Sequence, residues 1–253
     1  MAKDFTLHTY EQFLRSAIDA GYVLTSYQDY INQHFNKVLI LRHDVDKKPQ
    51  NSLRTAQLQH QLGVKGTYYF RAVRESFDVA IIQQIVDLGH EIGYHYEDLT
   101  ICKGDHLKAI QHFELWLEKL RKYYPVKTVC MHGSPMSKWD NRNLWDKYDY
   151  KNYGIEAEPY FDIDFNEVFY ITDTGRKWDG DKVSVRDKVT SKFTLSFPTT
   201  DALIAAFKAG TMPHQVMQNI HPQRWTNNRM EWVQELMMQR IKNSVKKAIF
   251  VKK

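Results

Sequence analysis

The sequence predicts an α/β fold, a parallel sheet or barrel with helices packed outside it, and three observations carry that reading. Apolar, β-rich runs alternate with helical stretches, the pattern of repeated βαβ units. Glycines stop several of the helical stretches shortly before the next run begins. Several of the runs end in short motifs of acids and histidines, and an α/β sheet builds its site where the carboxyl ends of its strands gather.

The elements follow in order. An amphipathic segment, Thr9 to Ala20, stops at Gly21-Tyr22, and a short connection leads to a strand over Lys37 to Asp46 that is apolar and then turns polar. A helix from about Gln50 to Leu62 stops at Gly63. The β-branched and aromatic stretch Gly66 to Phe70 reads as the second strand. A helix over Val79 to Leu88 is stopped by Gly89, and Glu91 to Tyr96 forms the third strand. Asp105 to Tyr124 is a long helix with apolar residues at Leu107, Ile110, Phe113, Leu117 and Leu120. Val126 to His132 is the fourth strand. The aromatic and acidic region Gly154 to Thr174 holds a strand at Val168 to Thr172. Thr200 to Ala209 is a helix capped by Thr199 or Thr200 and stopped by Gly210. A last strand, Gln215 to Ile220, delivers His221, and a terminal helix from about Asn228 to Lys247 closes the fold.

A chain of 253 residues with 43% hydrophobic content is long enough for one large core, and no repeat or Pro/Gly/Ser-rich linker divides residues 1–253. A single catalytic domain is expected. The net charge of +5 comes from 35 basic and 30 acidic residues that are intermixed along most of the chain, which argues against a nucleic-acid partner. The basic cluster at Lys242, Lys246, Lys247, Lys252 and Lys253 reads as a solvated helix face and fraying end. No window approaches a membrane span, and the start lacks the pattern of a secretory signal, so a cytoplasmic protein is expected. Cys102 and Cys130 form no CxxC pair, so neither a disulfide framework nor a thiolate zinc site is indicated.

Strand alternation places Arg42, Asp44 and Asp46 on one face and His43 and Val45 on the other. Two carboxylates leaving an apolar strand are costly without a partner, which a divalent cation supplies, while the second carboxylate remains available as a general base. A pair of turn and capping aspartates before Pro49 is the plain alternative. His90 and His95 are five apart and so lie on opposite faces of a strand. His90 is expected to be structural and His95 to be a ligand candidate, with Glu97 on the same face. His132 ends the fourth strand before a Gly-Ser-Pro turn and is either a third ligand or a loop residue. In Ile220-His221-Pro222 the proline holds the imidazole at the strand end, which suits a general acid. Arg224 and Trp225 beside it are candidates to shape a sugar or anion subsite, a core Trp with a surface Arg being the simpler alternative. Asp173 and Trp178, in a loop after another apolar strand, are candidates to support a catalytic group and to meet substrate. Trp139, Trp145, Tyr148, Tyr150 and Tyr153 line a groove, form a subunit contact or serve the structure.

In this order the motifs resemble those of the polysaccharide deacetylases, the NodB-homology group or carbohydrate esterase family four. The resemblance is strongest at Leu41 to Asp46, Gly66 to Phe70 and Gly89 to Tyr96, and the Tyr10 to Tyr30 stretch is similar to the lead-in of many members. It implies a distorted (β/α) barrel of about seven parallel strands and one divalent metal, zinc first, held by an aspartate and two histidines. The family's Thr-Phe-Asp-Asp-Gly motif is replaced by Arg-His-Asp-Val-Asp, which makes Asp44 the base and Asp46 the ligand, with the reverse open. Of the second motif's two histidines only His95 matches, since Leu99 occupies the other position; His132 is the replacement candidate, ahead of Glu97. The third motif's arginine is missing, and Arg42 or Arg176 is left to orient the base. Asp173 and Trp178 correspond to the fourth motif, and Ile220-His221 to the fifth.

The resemblance implies a hydrolase that removes an acyl group, acetyl first, from an amino sugar. Without a visible export signal, the expected substrate is a cytoplasmic precursor in surface polysaccharide synthesis. Two rivals stand beside this reading, besides a nucleic-acid-binding protein that rests only on net charge. One is a same-fold hydrolase of another C–N bond, such as a formamide or cyclic amide; the other is an inactive carbohydrate-binding member.

Overall fold

The computed structural model describes residues 3–178 and 187–250, with side chains to residue 244. The chain runs α1 (Leu7–Asp19), β1 (Val23–Thr25), α2 (Tyr27–Asn32), β2 (Val38–Val45), α3 (Pro49–Gln61), β3 (Thr67–Phe70), α4 (Val79–Asp87) and β4 (Glu91–Tyr96). It continues through α5 (Asp98–Ile101), α6 (His106–Arg121), β5 (Val129–Met131), α7 (Pro159–Asp162), β6 (Phe169–Thr172), α8 (Thr200–Lys208), β7 (Gln215–Ile220) and α9 (Arg229–Phe250). Short 3-10 turns occupy Asn141–Asp146, Tyr150–Tyr153 and Pro222–Arg224.

All seven strands pair in parallel, in the order β5-β4-β3-β2-β7-β6 with β1 on β2. Because β7 covers Val38 to His43 along one edge of β2, the other edge serves β1 at Val38–Ile40 and then β3 at Arg42–Val45. The result is an α/β curled half-barrel, open between β5 and β6, with α1, α3, α4, α6 and α8 on the convex side. The seven-stranded parallel architecture expected from the motifs is therefore present. No helix among the described residues is long and apolar enough to cross a membrane.

Alternation sorts the side chains. On the convex face Leu39 and Leu41 pack with Tyr10 and Phe13 of α1, while Tyr94 and Tyr96 pack with Phe113 of α6. On the concave face Val38, Ile40 and Met217 meet Tyr27 and Ala157. Gly93 lies on this face too, where a Cβ would stand 2.3 Å from the Tyr69 ring and 2.9 Å from the Thr128 carbonyl oxygen. Only glycine lets the tyrosine cross there.

Caps set the helix starts. Side chains of Thr6, Ser26, Asp78, Asp105 and Thr199 accept from backbone N–H groups in the first turns of α1, α2, α4, α6 and α8. Several elements depart from the expected bounds. Asp105 caps α6 rather than opening it, and the fourth strand is shorter than Val126 to His132. The connection after Gly21 holds β1 and α2, which at three and six residues are too short to leave a periodic signal. Trp139, Trp145, Tyr148, Tyr150 and Tyr153 are half-buried against the cluster around Phe113, and Trp139 also lines a groove of about 390 Å³ with Arg71, Glu97 and His132.

Candidate active site

The carboxyl ends of β2, β4, β5, β6 and β7 gather a cleft of about 110 Å³ lined by Asp44, Asp46, His95, His132, Tyr160, Asp187, His221 and Arg224, among others. A larger groove of about 720 Å³, near Tyr30, Phe35 and Gln215, lies at the opposite end of the sheet. It contains none of the acid and histidine motifs, and the chemistry belongs to the smaller cleft.

Three imidazoles converge on Asp46. His132 Nε2 lies 3.5 Å and His95 Nε2 3.7 Å from Asp46 Oδ1, and His221 Nε2 lies 3.8 Å from Oδ2. Each ring is held through its other nitrogen. His95 Nδ1–H donates to the Cys130 carbonyl at 2.9 Å, His132 Nδ1–H to Glu97 Oε2 at 2.9 Å, and His221 Nδ1–H to Asp173 Oδ1 at 2.7 Å. These bonds aim the three Nε2 atoms at one place, and in neutral His95 and His132 they leave Nε2 lone pairs there, which is how protein imidazoles are prepared for a cation.

Asp46 follows β2 by one residue, its N–H donating to the Asp44 carbonyl at 3.1 Å, so it leaves the strand in a tight turn rather than extending it. Its Oδ1 is buried with no hydrogen-bond partner among the described residues. Burial pushes the carboxyl up, but His132, His221 and His95 reverse the effect and hold it below the usual range. A buried carboxylate oxygen facing two imidazole lone pairs is a donor set that fits a divalent cation.

Asp44 is differently placed. Arg42 grips it with Nε on Oδ1 at 3.0 Å and Nη2 on Oδ2 at 2.7 Å, and Asn219 Nδ2 donates to Oδ2 at 2.9 Å. Burial raises its pKa, and Arg42, His95 and His221 more than offset this, so it too lies below the ordinary carboxylate range. Asp44, His95 and Cys130 form a second group with metal-ligand spacing. Asp44 is already engaged through both oxygens, however, and burial pushes the Cys130 thiol up, so the Asp46 group is the better host.

His221 has the opposite character to His95. Burial and Arg224 push it towards neutrality, but Asp173 and Asp46 outweigh them and its pKa stands above the ordinary value. Burial brings His95 down to about 4 despite Asp44 nearby. Asp173 Oδ2 also accepts from the His221 N–H at 3.0 Å and Trp225 Nε1–H at 2.8 Å, and Arg224 Nη1 donates to Asp173 as well.

Several expectations need correction. Trp178 and Trp225 are core residues, not substrate contacts: Trp178 packs on Phe13 and Trp225 and donates to Thr200 Oγ1 at 2.9 Å. Trp225 serves the cleft only through Asp173. Arg176 lies over the Phe5 and Trp232 rings at 4.9 Å each, away from both aspartates; the arginine on Asp44 is Arg42. Glu97 stands behind His132 and pairs with Arg71 Nη2 at 2.6 Å, and His132 and Arg71 overcome burial to bring it to about 2. It orients His132 and does not face the cleft centre. Leu99 opens into the core from α5, and Ser134 in the turn after His132 takes a φ of 36°. Asp179 and Gly180, in the loop expected near the site, lie outside the described residues, as do Lys252 and Lys253 of the basic tail.

The sequence reading missed Asn219, Tyr160, Tyr170 and Asp187. Asp187 accepts from Tyr160 Oη at 2.7 Å, Tyr170 Oη at 2.5 Å, Thr172 Oγ1 at 3.0 Å and Thr174 Oγ1 at 2.9 Å. Tyr160 Oη in turn accepts from Arg42 Nη2 at 3.3 Å, and Tyr170 Oη from Asn219 Nδ2 at 3.2 Å. Two hydrogen-bonded routes thus join Asp187 to the groups that hold Asp44. Asn219 was within reach of the sequence, being two residues before His221 on the same strand face; Asp187, on a loop, left no signal.

No protein-family model and no curated protein sequence matches the chain. Among solved structures its neighbours are CE4 family proteins at low identity. A CE4 family pseudoenzyme from Bacillus anthracis is 13% identical with a TM-score of 0.46, over 83% of this chain and 61% of that one. This chain therefore spans less than two thirds of that protein's length. A CE4 esterase from Streptococcus mutans is 17% identical with a TM-score of 0.47, over 90% of each chain. The CE4 domain of a multidomain xylanase from the hindgut metagenome of Trinervitermes trinervoides is 13% identical with a TM-score of 0.42, over 82% of each.

Proposed function

We propose that this protein is a metal-dependent hydrolase that removes an N-acyl group, acetyl first, from an amino sugar. The observation that carries the reading is the convergence of three oriented imidazoles on Asp46, beside a second carboxylate clamped by Arg42. Asp46, His95 and His132 would hold one divalent ion, and an oxygen and two imidazole nitrogens suit zinc. When bound there, the ion supplies electrophilic charge for the amide carbonyl and for the attacking water.

The chain's own groups supply the rest. Asp44 accepts the proton of the attacking water; Arg42 and Asn219 occupy three of the four lone-pair positions of its carboxylate and leave one for that proton. His221 donates a proton to the departing amine nitrogen, and Asp173 favours its charged form and fixes the ring for that step. Arg224, held on Asp173, keeps a positive edge beside the cleft. The products are the carboxylate of the acyl group and a free amino sugar.

The test is elemental analysis of purified protein and of Asp46→Ala, His95→Ala and His132→Ala, followed by acetate assays on N-acetylated sugars. About one ion per chain, lost in all three variants, with acetate released by the wild type, is the expected result. Release of formate or ring opening of a cyclic amide instead would assign the same groups to another C–N bond. A wild type that binds metal and sugar but turns over nothing would make the protein an inactive binder.

A further inference from the structure

The cleft at Asp46 is too small for the whole of the substrate it would serve. Its volume of about 110 Å³ admits the reacting amide, whereas sites that enclose a small molecule run from about 300 to about 1,000 Å³. The groove of about 390 Å³ beside it shares His132, Ser134 and Pro135 with the cleft, so the two are continuous. Beyond those three it is lined by Trp139, Ser137, Thr100, Met136 and the Arg71–Glu97 pair. A ligand whose reacting group reaches Asp46 therefore has room for its body on the β5 side of the centre.

The wall of this groove is fastened to the candidate metal ligands. Trp139 packs so close to Gly104 that a Cβ there would stand 2.1 Å from its Nε1. The Trp139 N–H donates to Ser137 Oγ at 3.0 Å, and Thr100 Oγ1 donates to the same oxygen at 3.0 Å, which ties the loop after β5 to α5. Buried Asn141 carries the tie to His132: its Nδ2 donates to the His132 carbonyl at 2.7 Å, and its Oδ1 accepts from the Thr100 N–H at 3.0 Å. The indole is thus held in register with His132. Charge and shape narrow the occupant. The two charged groups in the lining cancel, Arg71 Nη2 pairing with Glu97 at 2.6 Å while Arg71 Nη1 donates to the Asp46 carbonyl at 3.1 Å, so the lining does not select an anion. Lys138 Nζ lies over the Trp139 ring at 4.7 Å, on an exposed side chain that a ligand can displace. A rigid indole rimmed by hydroxyls and a guanidinium suits a neutral pyranose, whose C–H face lies on the aromatic face while its hydroxyls meet the polar rim.

We propose that the groove at Trp139 is the glycosyl-binding subsite of this protein, with the indole as its platform, so that a neutral N-acylated amino sugar lies on the β5 side of Asp46. The inference rests on the hydrolase reading and adds to it the side on which the substrate lies. Trp139 takes the part that the core denies to Trp178 and Trp225, both of which are buried.

The test is acetate release and isothermal titration of the zinc-reconstituted full chain with N-acetylglucosamine and N,N′-diacetylchitobiose. Trp139→Ala should raise KM about tenfold, with kcat and metal content little changed. Trp139→Leu keeps apolar packing without an aromatic face and should behave in the same way, whereas Trp139→Tyr keeps a platform and should recover most of the affinity. An unchanged KM in both Trp139→Ala and Trp139→Leu would overturn the subsite and leave the hydrolase reading standing. A fall in kcat and metal content in place of the rise in KM, or no recovery in Trp139→Tyr, would overturn it too, by making Trp139 a structural residue. Sugar binding that is lost in Trp139→Leu, with no acetate released by the wild type, would keep the subsite and reject the hydrolase. Neither binding nor release with either sugar would overturn both.

Discussion

Two histidine populations sit a few ångströms apart on the two faces of one sheet. On the convex face His43 stacks on Tyr68 at 4.1 Å, donates from Nδ1 to the Thr67 carbonyl at 2.8 Å and accepts on Nε2 from Gln59 at 2.7 Å. His90 accepts from the Gly66 N–H at 3.1 Å and donates to the Ala56 carbonyl at 2.9 Å. Both nitrogens of each ring are satisfied by neutral groups, and burial brings the pKa values down to about 3 and about 4. On the concave face His95, His132 and His221 each spend one nitrogen on an orienting acceptor and turn the other towards Asp46. Completing both nitrogens makes a histidine structural, and leaving one aimed at a carboxylate makes it chemical. The residue type is the same, and a one-residue step along a strand decides between the two fates.

The largest effect should come from the point where the concave histidines meet. On the proposed reading, Asp46→Ala is expected to lose the metal and to lower hydrolysis at least about a thousandfold, because one of the three ligands and the electrophile's position go with it. His43→Gln, one residue from Asp44 but on the other face, should leave metal content unchanged. Equal loss of metal in both variants, measured by elemental analysis, would end the distinction between the faces.

His221→Gln separates proton donation from metal holding. It should lower kcat by about a hundredfold to ten-thousandfold while the metal stays bound. Loss of metal in this variant would make His221 a ligand instead. One step further out, Asp187→Asn should lower kcat about tenfold to a hundredfold with KM little changed, because it loosens the two routes through Tyr160 and Tyr170 to Arg42 and Asn219. A full-rate Asp187→Asn enzyme would show that Arg42 and Asn219 hold Asp44 without that support.

The same contrast explains what could be taken from the sequence. Period-two alternation puts Arg42, Asp44 and His95 on the concave face and His43 and His90 on the other, and strand ends bring distant motifs to one rim, so the fold and most of the cleft follow from local pattern. What pattern cannot give is depth. Trp178 and Trp225 look like substrate platforms beside polar motifs, yet the Phe5, Tyr10 and Phe13 rings of the N-terminal segment bury them. Glu97 has the chemistry of a ligand, and only the position of Arg71 shows that it faces backwards. Asp187 reaches the site from a loop, where no periodicity applies. The short β1 and α2 escaped because three and six residues are too few to repeat.

Acid sensitivity of folding gives the smallest and most discriminating measure of the two faces. His43 and His90 are neutral in the folded chain down to about pH 3 and about pH 4, whereas in the unfolded chain they take protons near the ordinary value of about 6.5. Between these limits the unfolded state binds more protons, so stability rises with pH and is lost as pH falls below about 6.5. The slope approaches about 1.4 kcal/mol per pH unit for each histidine. His95, with its pKa near 4, adds to this loss, since burial governs it as it does the outer pair. His221 acts in the opposite direction: its raised pKa stabilises the fold fully below the ordinary value, and that contribution fades as pH rises through the folded pKa. Urea unfolding of chelator-treated protein between about pH 4 and about pH 6.5 should therefore show a shallower slope for His90→Gln than for wild type. His221→Gln should lower stability evenly across this window without changing the slope, and its deficit should shrink only as pH rises above about 6.5. If His90→Gln shifts every midpoint equally and leaves the slope intact, the convex histidines are not what makes the fold acid-labile, and the burden passes to the carboxylates around Asp46.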